Sequence, residues 1–342
     1  MISTLRSRVD AKDRDSSLNG MNWKEVNIGS TVPTRILRRK VQLRGIELKW
    51  GESAEKSRSK QPGSNQLARD TVSSNDKVVI IYCQGNAGTP LLRIPLFRQL
   101  LKPEPQSSLQ DLTVLAVAPR SFWLSTRSTP TESSVLADYR AALEYAYAQH
   151  GSDCKYVLYG HSLGGAASLL LLEQLSIPPF NPPRPQSAEC SSHPSPVHGL
   201  ILENPLPSIP YMVKALYPQR WLPYHYLGFA AFDRWDALGR LRNLARSSHR
   251  DSSQTTGVER RTSIPSLWIR SGRDEIVPSG QADGVREMFE DWKRASEGDR
   301  KGPGGARWVD IEGALHDTAF LERKWRLEIR KFLQEIAEKR SS

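Results

Sequence analysis

The chain has 342 residues, of which 38% are hydrophobic and 25% are charged, and its formal net charge is +11. This length accommodates one large domain with a sizeable core, while the basic residues, scattered without an aromatic-interleaved stripe, argue against a nucleic-acid site. Contact with an anionic membrane surface is kept as a secondary hypothesis for the positive charge.

No segment has the features of a membrane span or a secretory leader. The longest apolar runs fall short of the roughly twenty residues that a spanning helix needs, and the N-terminus has no apolar core. Three cysteines, Cys83, Cys154 and Cys190, are widely spaced and predict neither a disulfide framework nor a zinc site. A cytoplasmic protein without a metal is therefore expected.

The N-terminal part shows little periodicity. Residues 1–37 are predicted to be a flexible tail, and residues 38–342 a single domain. Within this domain, residues 39–50 alternate apolar and polar side chains around Arg44-Gly45, which predicts a hairpin that turns at this pair. Residues 51–76 are rich in Ser, Lys, Gln, Asn and Gly, which is typical of a polar insertion.

Strand-like and helix-like segments then alternate to the C-terminus. Such alternation predicts a mostly parallel central sheet with helices on both sides. Further polar insertions are expected near residues 178–198 and 245–262, and a small helical cap at residues 204–244. The predicted strands are 77–83, 112–118, 199–203, 266–272 and 306–311, and the predicted helices are 89–101, 133–149, 280–292 and 320–339.

The most informative stretch is residues 156–172, in which a β-rich run enters Gly-His-Ser-Leu-Gly and good helix formers leave it. This order is typical of a nucleophile elbow, with Ser162 on a strained turn. Gly160 and Gly164 would leave room for the neighbouring strand and helix, and the helix N-terminus would direct its amides at a developing oxyanion. The alternative is a glycine-rich turn that contains a serine by chance.

An activated serine needs a base and a carboxylate that orients the base. Among the histidines after Ser162, His316 alone follows a strand and precedes a terminal helix, so it is predicted to be the base. Asp274 directly follows a strand and is favoured as the acid over Glu275 because its shorter side chain suits a tight contact. Capping of the next helix is the alternative role for Asp274. His161, inside the elbow, is predicted to pack or hydrogen-bond.

An oxyanion needs two backbone N–H donors. Leu163, which follows the nucleophile, is predicted to supply one of them. The second is expected from the loop at residues 84–88, Gln-Gly-Asn-Ala-Gly, which follows a strand and precedes a helix. Asn86 is the first choice within this loop and Ala87 the second.

These motifs together resemble the α/β-hydrolase superfamily, and within it the fungal bud-emergence-type hydrolases and the mammalian depalmitoylases and lysophospholipid lipases. The resemblance covers residue 38 to the C-terminus, and it implies an α/β-hydrolase fold with Ser162, Asp274 and His316 as the triad. The stretches that carry it are residues 85–88, 129–132, 160–165, 203–204, 208–210, 235–236, 271–278 and 316.

The chain departs from the family pattern in three places. Gln84 stands where the family usually has His, and Pro-Arg-Ser-Phe-Trp at residues 119–123 replaces the usual Tyr-Arg-Gly-Tyr-Gly. Neither an N-terminal hydrophobic span nor a palmitoylated cysteine cluster is seen, so the family's membrane localisation is not carried over.

The sequence therefore predicts a serine hydrolase, free of metal and cofactor, that cleaves an ester or thioester of a small-molecule or lipid-like acyl substrate through an acyl-enzyme. The alternative is a catalytically idle α/β-hydrolase fold that serves as a binding or scaffold protein. A serine peptidase of similar fold is disfavoured because the chain is too short for the extra domain that such enzymes usually carry. The natural substrate and the oligomeric state are left open.

Overall fold

The computed structural model describes residues 18, 20–32, 39–51, 77–86, 88–104, 109, 111–175, 197–216, 219, 232–248, 264–277, 283–296 and 305–338. Its strands are β1 Met21–Val32, β2 Arg39–Trp50, β3 Lys77–Cys83, β4 Asp111–Ala118, β5 Lys155–His161, β6 Val197–Glu203, β7 Ser266–Ser271 and β8 Ala306–Ile311. The α-helices of this part are α1 Ile94–Leu101, α2 Glu132–His150, α3 Leu163–Leu175, α4 Ile209–Leu216, α5 Ala237–Ser248, α6 Gly284–Ser296 and α7 Arg323–Glu338.

The eight strands form one sheet in the order β1-β2-β4-β3-β5-β6-β7-β8. Strand β2 runs antiparallel to both of its neighbours, and the pairs from β4 to β8 are parallel. This confirms the predicted α/β-hydrolase fold with its mostly parallel sheet. The carboxyl ends of β3 to β8 meet at one edge, which is where open α/β sheets bind their ligands.

The first hairpin differs from the prediction. Strand β1 pairs with β2 along its whole length, so residues 21–32, predicted to be part of the tail, belong to the sheet. The chain does not turn at Gly45 but continues through it as one strand, Arg39–Trp50. A Cβ at Gly45 would lie 2.6 Å from the carbonyl oxygen of Ala116 in β4. The glycine permits the close approach of β4 and is not a turn signal. Residues 1–17, 19 and 33–37 of the predicted tail lie outside the described residues.

Two apolar layers cover the sheet. One face packs against α2, α3, α5 and α6, and the opposite face packs against α1 and α7. Strand β5, at the centre, is buried along its whole length, as expected for a strand covered on both faces. Helix α2 begins at a capping box in which Thr131 and Ser134 exchange hydrogen bonds between side chains and amides.

Most of the predicted insertions lie outside the described residues, namely residues 52–76, 178–196 and 249–262. Of the predicted cap-like segment, residues 204–244, the structure describes α4 and the start of α5 but not residues 220–231. Within the described ranges, none of the helices combines the length and the apolar character that crossing a membrane requires.

Candidate active site

The turn between β5 and α3 consists of Ser162 alone, and its φ angle is 55°. This left-handed conformation is strained for a residue with a side chain, and it persists because the backbone is held on both sides. The amide of Ser162 donates to the carbonyl of Glu203 at 3.0 Å, and its carbonyl accepts from Gly165 at 2.9 Å and Leu206 at 3.0 Å. The sequence prediction of an elbow at Ser162 therefore matches the backbone.

Three glycines of the elbow occupy positions with no room for a side chain. A Cβ at Gly164 would lie 2.0 Å from the carbonyl oxygen of Cys83, the last residue of β3. A Cβ at Gly160 would lie 2.6 Å from the Cα of Gly165, and one at Gly165 would lie 2.6 Å from the Cβ of Pro205. The elbow thus packs backbone against backbone, which fixes Ser162 relative to the sheet.

The structure brings Asp274 and His316 together. The Nδ1–H of His316 donates to the carboxylate of Asp274, with distances of 3.0 Å to Oδ1 and 2.9 Å to Oδ2. Because the carboxylate can only accept, this contact assigns the proton to Nδ1 and leaves Nε2 as an acceptor. Both side chains are buried. The pair has the geometry of a base with its orienting acid.

The Asp274 carboxylate has a full set of donors besides His316. Its Oδ1 accepts from the amides of Ile276 at 2.9 Å and Val277 at 2.8 Å, and its Oδ2 accepts from Arg270 at 2.9 Å. Burial acts to raise the pKa of Asp274, but the hydrogen bond and charge of His316, followed by the two amides, outweigh it and lower the pKa below its usual value. Asp274 is therefore an ionised acceptor in a closed site.

The backbone of His316 is held by three neighbours. Its carbonyl accepts from Asn204 Nδ2 at 2.9 Å and from His161 Nε2 at 3.1 Å. Its amide donates to Glu275 Oε2 at 3.0 Å. Glu275, the second choice for the acid, thus bonds to the main chain of His316, whereas Asp274 bonds to the ring.

His161 lies in a buried cluster beneath the site. Its Nδ1 faces Arg93 Nη2 at 3.3 Å, and Arg93 also pairs with Asp317. Burial, together with the charges of Arg93 and His316, lowers the pKa of His161 to about 3, so the ring is neutral. Donor atoms of His161, His316 and Asp317 lie within 4.8 Å of one another, as a metal site would require. However, the guanidinium of Arg93 already pairs with two of the three, which fits an ion-pair cluster and not a cation site.

Glu203, at the end of β6, is a buried acid near His161. Its Oε2 accepts from Tyr159 Oη and from Trp325 Nε1, the latter at 2.8 Å. Burial raises the pKa of Glu203 above its usual value. This carboxyl group bonds to side chains of β5 and α7, and it therefore fastens the strand that precedes the elbow to the C-terminal helix.

Two of the three predicted oxyanion donors, Leu163 and Asn86, are among the described residues. Leu163 is the first residue of α3, so its amide is among those that a helix leaves without an intrahelical partner. Asn86 is exposed in a turn that Gly88 N and Gly85 O close at 3.2 Å. Ala87 lies outside the described residues. A Cβ at Gly85 would lie 3.3 Å from that of Ser162, so the loop passes directly over the serine.

Gln84 braces this loop. Its Nε2 donates to the carbonyl of Gly88 at 2.8 Å, and its amide donates to Tyr139 Oη at 3.0 Å. Tyr139 is buried on α2 and was not among the predicted site residues. In the sequence it belongs to an apolar helical stripe, so no local signal separates its hydroxyl contact from core packing.

A pocket opens between the oxyanion loop and α3. The space enclosed within it is small, about 10 Å³, and it is lined by Gln84, Gly85, Pro119, Phe122, Pro130, Val135, Tyr139, Leu163, Gly164, Ala167 and Trp235. The walls are mostly apolar, and Phe122 comes from the segment at residues 119–123.

Backbone strain is concentrated around this site. In the described part of the chain, the non-glycine residues with positive φ are Ser121, Trp123, Ser162, Asn204 and Trp235. Ser121 and Trp123 flank Phe122, Trp235 lines the pocket, and Asn204 holds the His316 loop. Such outliers persist where the surrounding structure holds them, which is common at functional sites.

Comparison with known proteins agrees with this architecture. Residues 91–326 match the alpha/beta hydrolase family. No curated protein matches the chain. An esterase structure from Pyrococcus furiosus is 15% identical, with 94% of this chain and 92% of that chain covered and a TM-score of 0.52. A bacterial heroin esterase is 12% identical, with 98% and 91% covered and a TM-score of 0.53. At these identities the similarity shows the fold alone.

Proposed function

Because the chain belongs to the alpha/beta hydrolase family, we propose that it is a serine hydrolase that cleaves an ester or thioester through an acyl-enzyme. The observation that carries this proposal is the buried His316–Asp274 pair. The His316 carbonyl bonds to His161 of the elbow, on which Ser162 has a left-handed backbone. The esterase names of the two structures of similar fold agree with ester chemistry.

The proposed reaction gives each of these groups one role. Ser162 Oγ attacks the acyl carbonyl carbon while His316 Nε2 takes the hydroxyl proton, and Asp274 stabilises the imidazolium that forms. The amides of Leu163 and Asn86 hold the oxyanion of the tetrahedral intermediate. When the bond to the leaving group breaks, the imidazolium returns its proton to the leaving oxygen or sulfur. Water, activated by the same imidazole, then hydrolyses the acyl-enzyme and restores Ser162.

The substrate proposed is an acylated small molecule or a lipid-like ester. The apolar walls around Phe122 and Trp235 suit an aliphatic acyl group, and the resemblance to depalmitoylases and lysophospholipid lipases points the same way. A cytoplasmic location and contact with anionic membranes stay predictions.

Covalent labelling tests the nucleophile. A fluorophosphonate probe is expected to label the folded wild type, and Ser162→Ala is expected to abolish labelling. Ser168→Ala is the matched control, because Ser168 lies on the same helix and bonds through its hydroxyl to the Gly164 carbonyl at 2.8 Å. Labelling of Ser162→Ala at the wild-type rate would refute the assignment. A folded wild type that neither labels nor hydrolyses esters would favour the idle-fold alternative.

Steady-state kinetics tests the base. With p-nitrophenyl esters of short acyl chains, kcat/KM is expected to fall at low pH as His316 becomes protonated. A profile that is flat from about pH 5 to pH 8 would contradict this role for His316, because a histidine base loses activity when it is protonated. Pairing each oxygen ester with the thioester of the same acyl group would show which bond is preferred.

A further inference from the structure

Arg270 places a buried positive charge directly on the carboxylate that orients the base. It lies on β7 and is 3% exposed. Its Nη1 donates to Asp274 Oδ2 at 2.9 Å, and its Nη2 donates to the carbonyl of Val277 at 2.7 Å. The guanidinium therefore closes the loop from Asp274 to Val277 and shares the acid with His316.

This sharing has a consequence for the charge balance of the site. A guanidinium keeps its proton at every pH relevant to proteins. A carboxylate whose other donors are all neutral interacts with one cation only, the imidazolium. The carboxylate of Asp274 interacts with both His316 and the guanidinium of Arg270. A carboxylate that is shared with a guanidinium stabilises an imidazolium less than an unshared carboxylate does.

We propose that Arg270 is a positioning residue that extends the working range of His316 toward acidic pH by competing for Asp274. This inference rests on the proposed function, because it concerns the base of that reaction. It adds a residue that the predicted triad and oxyanion loop do not include.

Within the described residues, each of the other titratable groups around His316 is either uncharged or bonded to a partner of its own. His161 is uncharged, Arg93 pairs with Asp317, and Glu203 accepts from Tyr159 and Trp325. Glu275 accepts from the amide of His316. Arg270 itself has a second acidic neighbour, since its Nε lies 3.6 Å from Asp283 Oδ2 at the start of α6. Asp283 thus neutralises part of the charge that Arg270 directs at Asp274.

The test compares pH profiles of kcat/KM for p-nitrophenyl butyrate. Arg270→Met removes the charge. The pH at which kcat/KM falls on the acidic side of the profile, called here the acid limb, is expected to move up by about half to one pH unit. At pH 5 this corresponds to a loss of about three- to tenfold beyond any change seen at pH 8. Arg270→Lys keeps the charge, so its acid limb is expected to lie close to the pH of the wild-type limb. Loss of packing alone would lower kcat/KM without moving the limb.

A second variant decides the question if Arg270→Met does not fold. Asp283→Asn removes the competing acid, and its Oδ1 can still accept from Val285 and Arg286 at the N-terminus of α6. The acid limb is then expected to move in the opposite direction, to lower pH, by a few tenths of a unit. Arg273→Gln is the control, because it removes an exposed positive charge from the same loop and should leave the limb unchanged.

The outcomes separate the two claims. Hydrolysis by the wild type, with a limb that moves up in Arg270→Met and down in Asp283→Asn, supports the inference. An active protein whose limb stays fixed in both variants, or moves equally in Arg273→Gln, overturns it and leaves the proposed function standing. A folded wild type that hydrolyses no ester overturns the proposed function, and this inference falls with it.

Discussion

Asn204 connects the His316 loop to β7 and is expected to be a sensitive position for both stability and activity. It is fully buried, and its φ angle is 46°. Its Oδ1 accepts from the amide of Ser271 at 2.8 Å. Its Nδ2 donates to the carbonyl of His316 and to Ser271 Oγ, each at 2.9 Å. One amide side chain thus satisfies groups on two loops that carry the site.

Replacing Asn204 by Ala has two separable costs. The Ser271 amide is left buried without its acceptor, which costs about 1–3 kcal/mol. The left-handed backbone adds about 1–2 kcal/mol for Ala, a strain that Asn tolerates better and Gly does not have. The free energy of unfolding should therefore fall by about 2–5 kcal/mol in Asn204→Ala. Asn204→Gly should be about 1–2 kcal/mol more stable than Asn204→Ala.

Urea unfolding followed by circular dichroism measures both variants, and kcat/KM for a p-nitrophenyl ester measures the effect on His316. Both variants are expected to lose at least about tenfold in kcat/KM because a small misplacement of the base is costly. Equal stability of the Ala and Gly variants would show that backbone strain does not contribute. A loss of less than about 1 kcal/mol in Asn204→Ala would refute the hydrogen-bond account.

Two further predictions concern the elbow. Gly164→Ala would place its Cβ 2.0 Å from the carbonyl oxygen of Cys83. It should therefore lower the free energy of unfolding by more than about 3 kcal/mol or prevent soluble expression. A variant with nearly wild-type stability in urea would contradict this packing. His161, with its pKa lowered to about 3 from 6.5, is neutral when folded but takes up a proton when unfolded, so stability falls as the pH drops from 6.5 toward 3. Between pH 6.5 and 4.5 the free energy of unfolding should therefore fall less steeply in His161→Gln than in the wild type, by as much as about 1.4 kcal/mol per pH unit. An equally steep fall in both proteins would refute the lowered pKa of His161.

The parts of the site that depend on local sequence pattern and on the order of elements along the chain could be predicted. The elbow could be predicted because strand, turn and helix signals are contiguous around Ser162. Asp274 and His316 could be predicted because each follows a strand, and parallel strands bring their carboxyl ends to one edge. Their hydrogen bond agrees with that reasoning, while their catalytic roles stay predictions that the experiments above test.

The residues that were missed act through contacts between distant segments. Gly45 looked like a turn because its crowding against Ala116 comes from β4, which lies far along the chain. Tyr139 and Arg270 looked like ordinary members of a helix and a strand, since nothing nearby in sequence shows that their polar ends reach Gln84 and Asp274. Asn204 belonged to a family-like stretch, but its bond to His316 spans 112 positions.

The strained backbone around the pocket links the evolution of stability to that of activity. Each left-handed, non-glycine residue costs of the order of 1–3 kcal/mol, and in the described chain all five such residues lie in or beside the site. Glycine would relieve this strain, but at Trp123, Asn204 and Trp235 it would also remove buried side chains, at a comparable or larger cost. Substitutions that raise heat resistance are therefore expected outside the loops of Ser162 and His316.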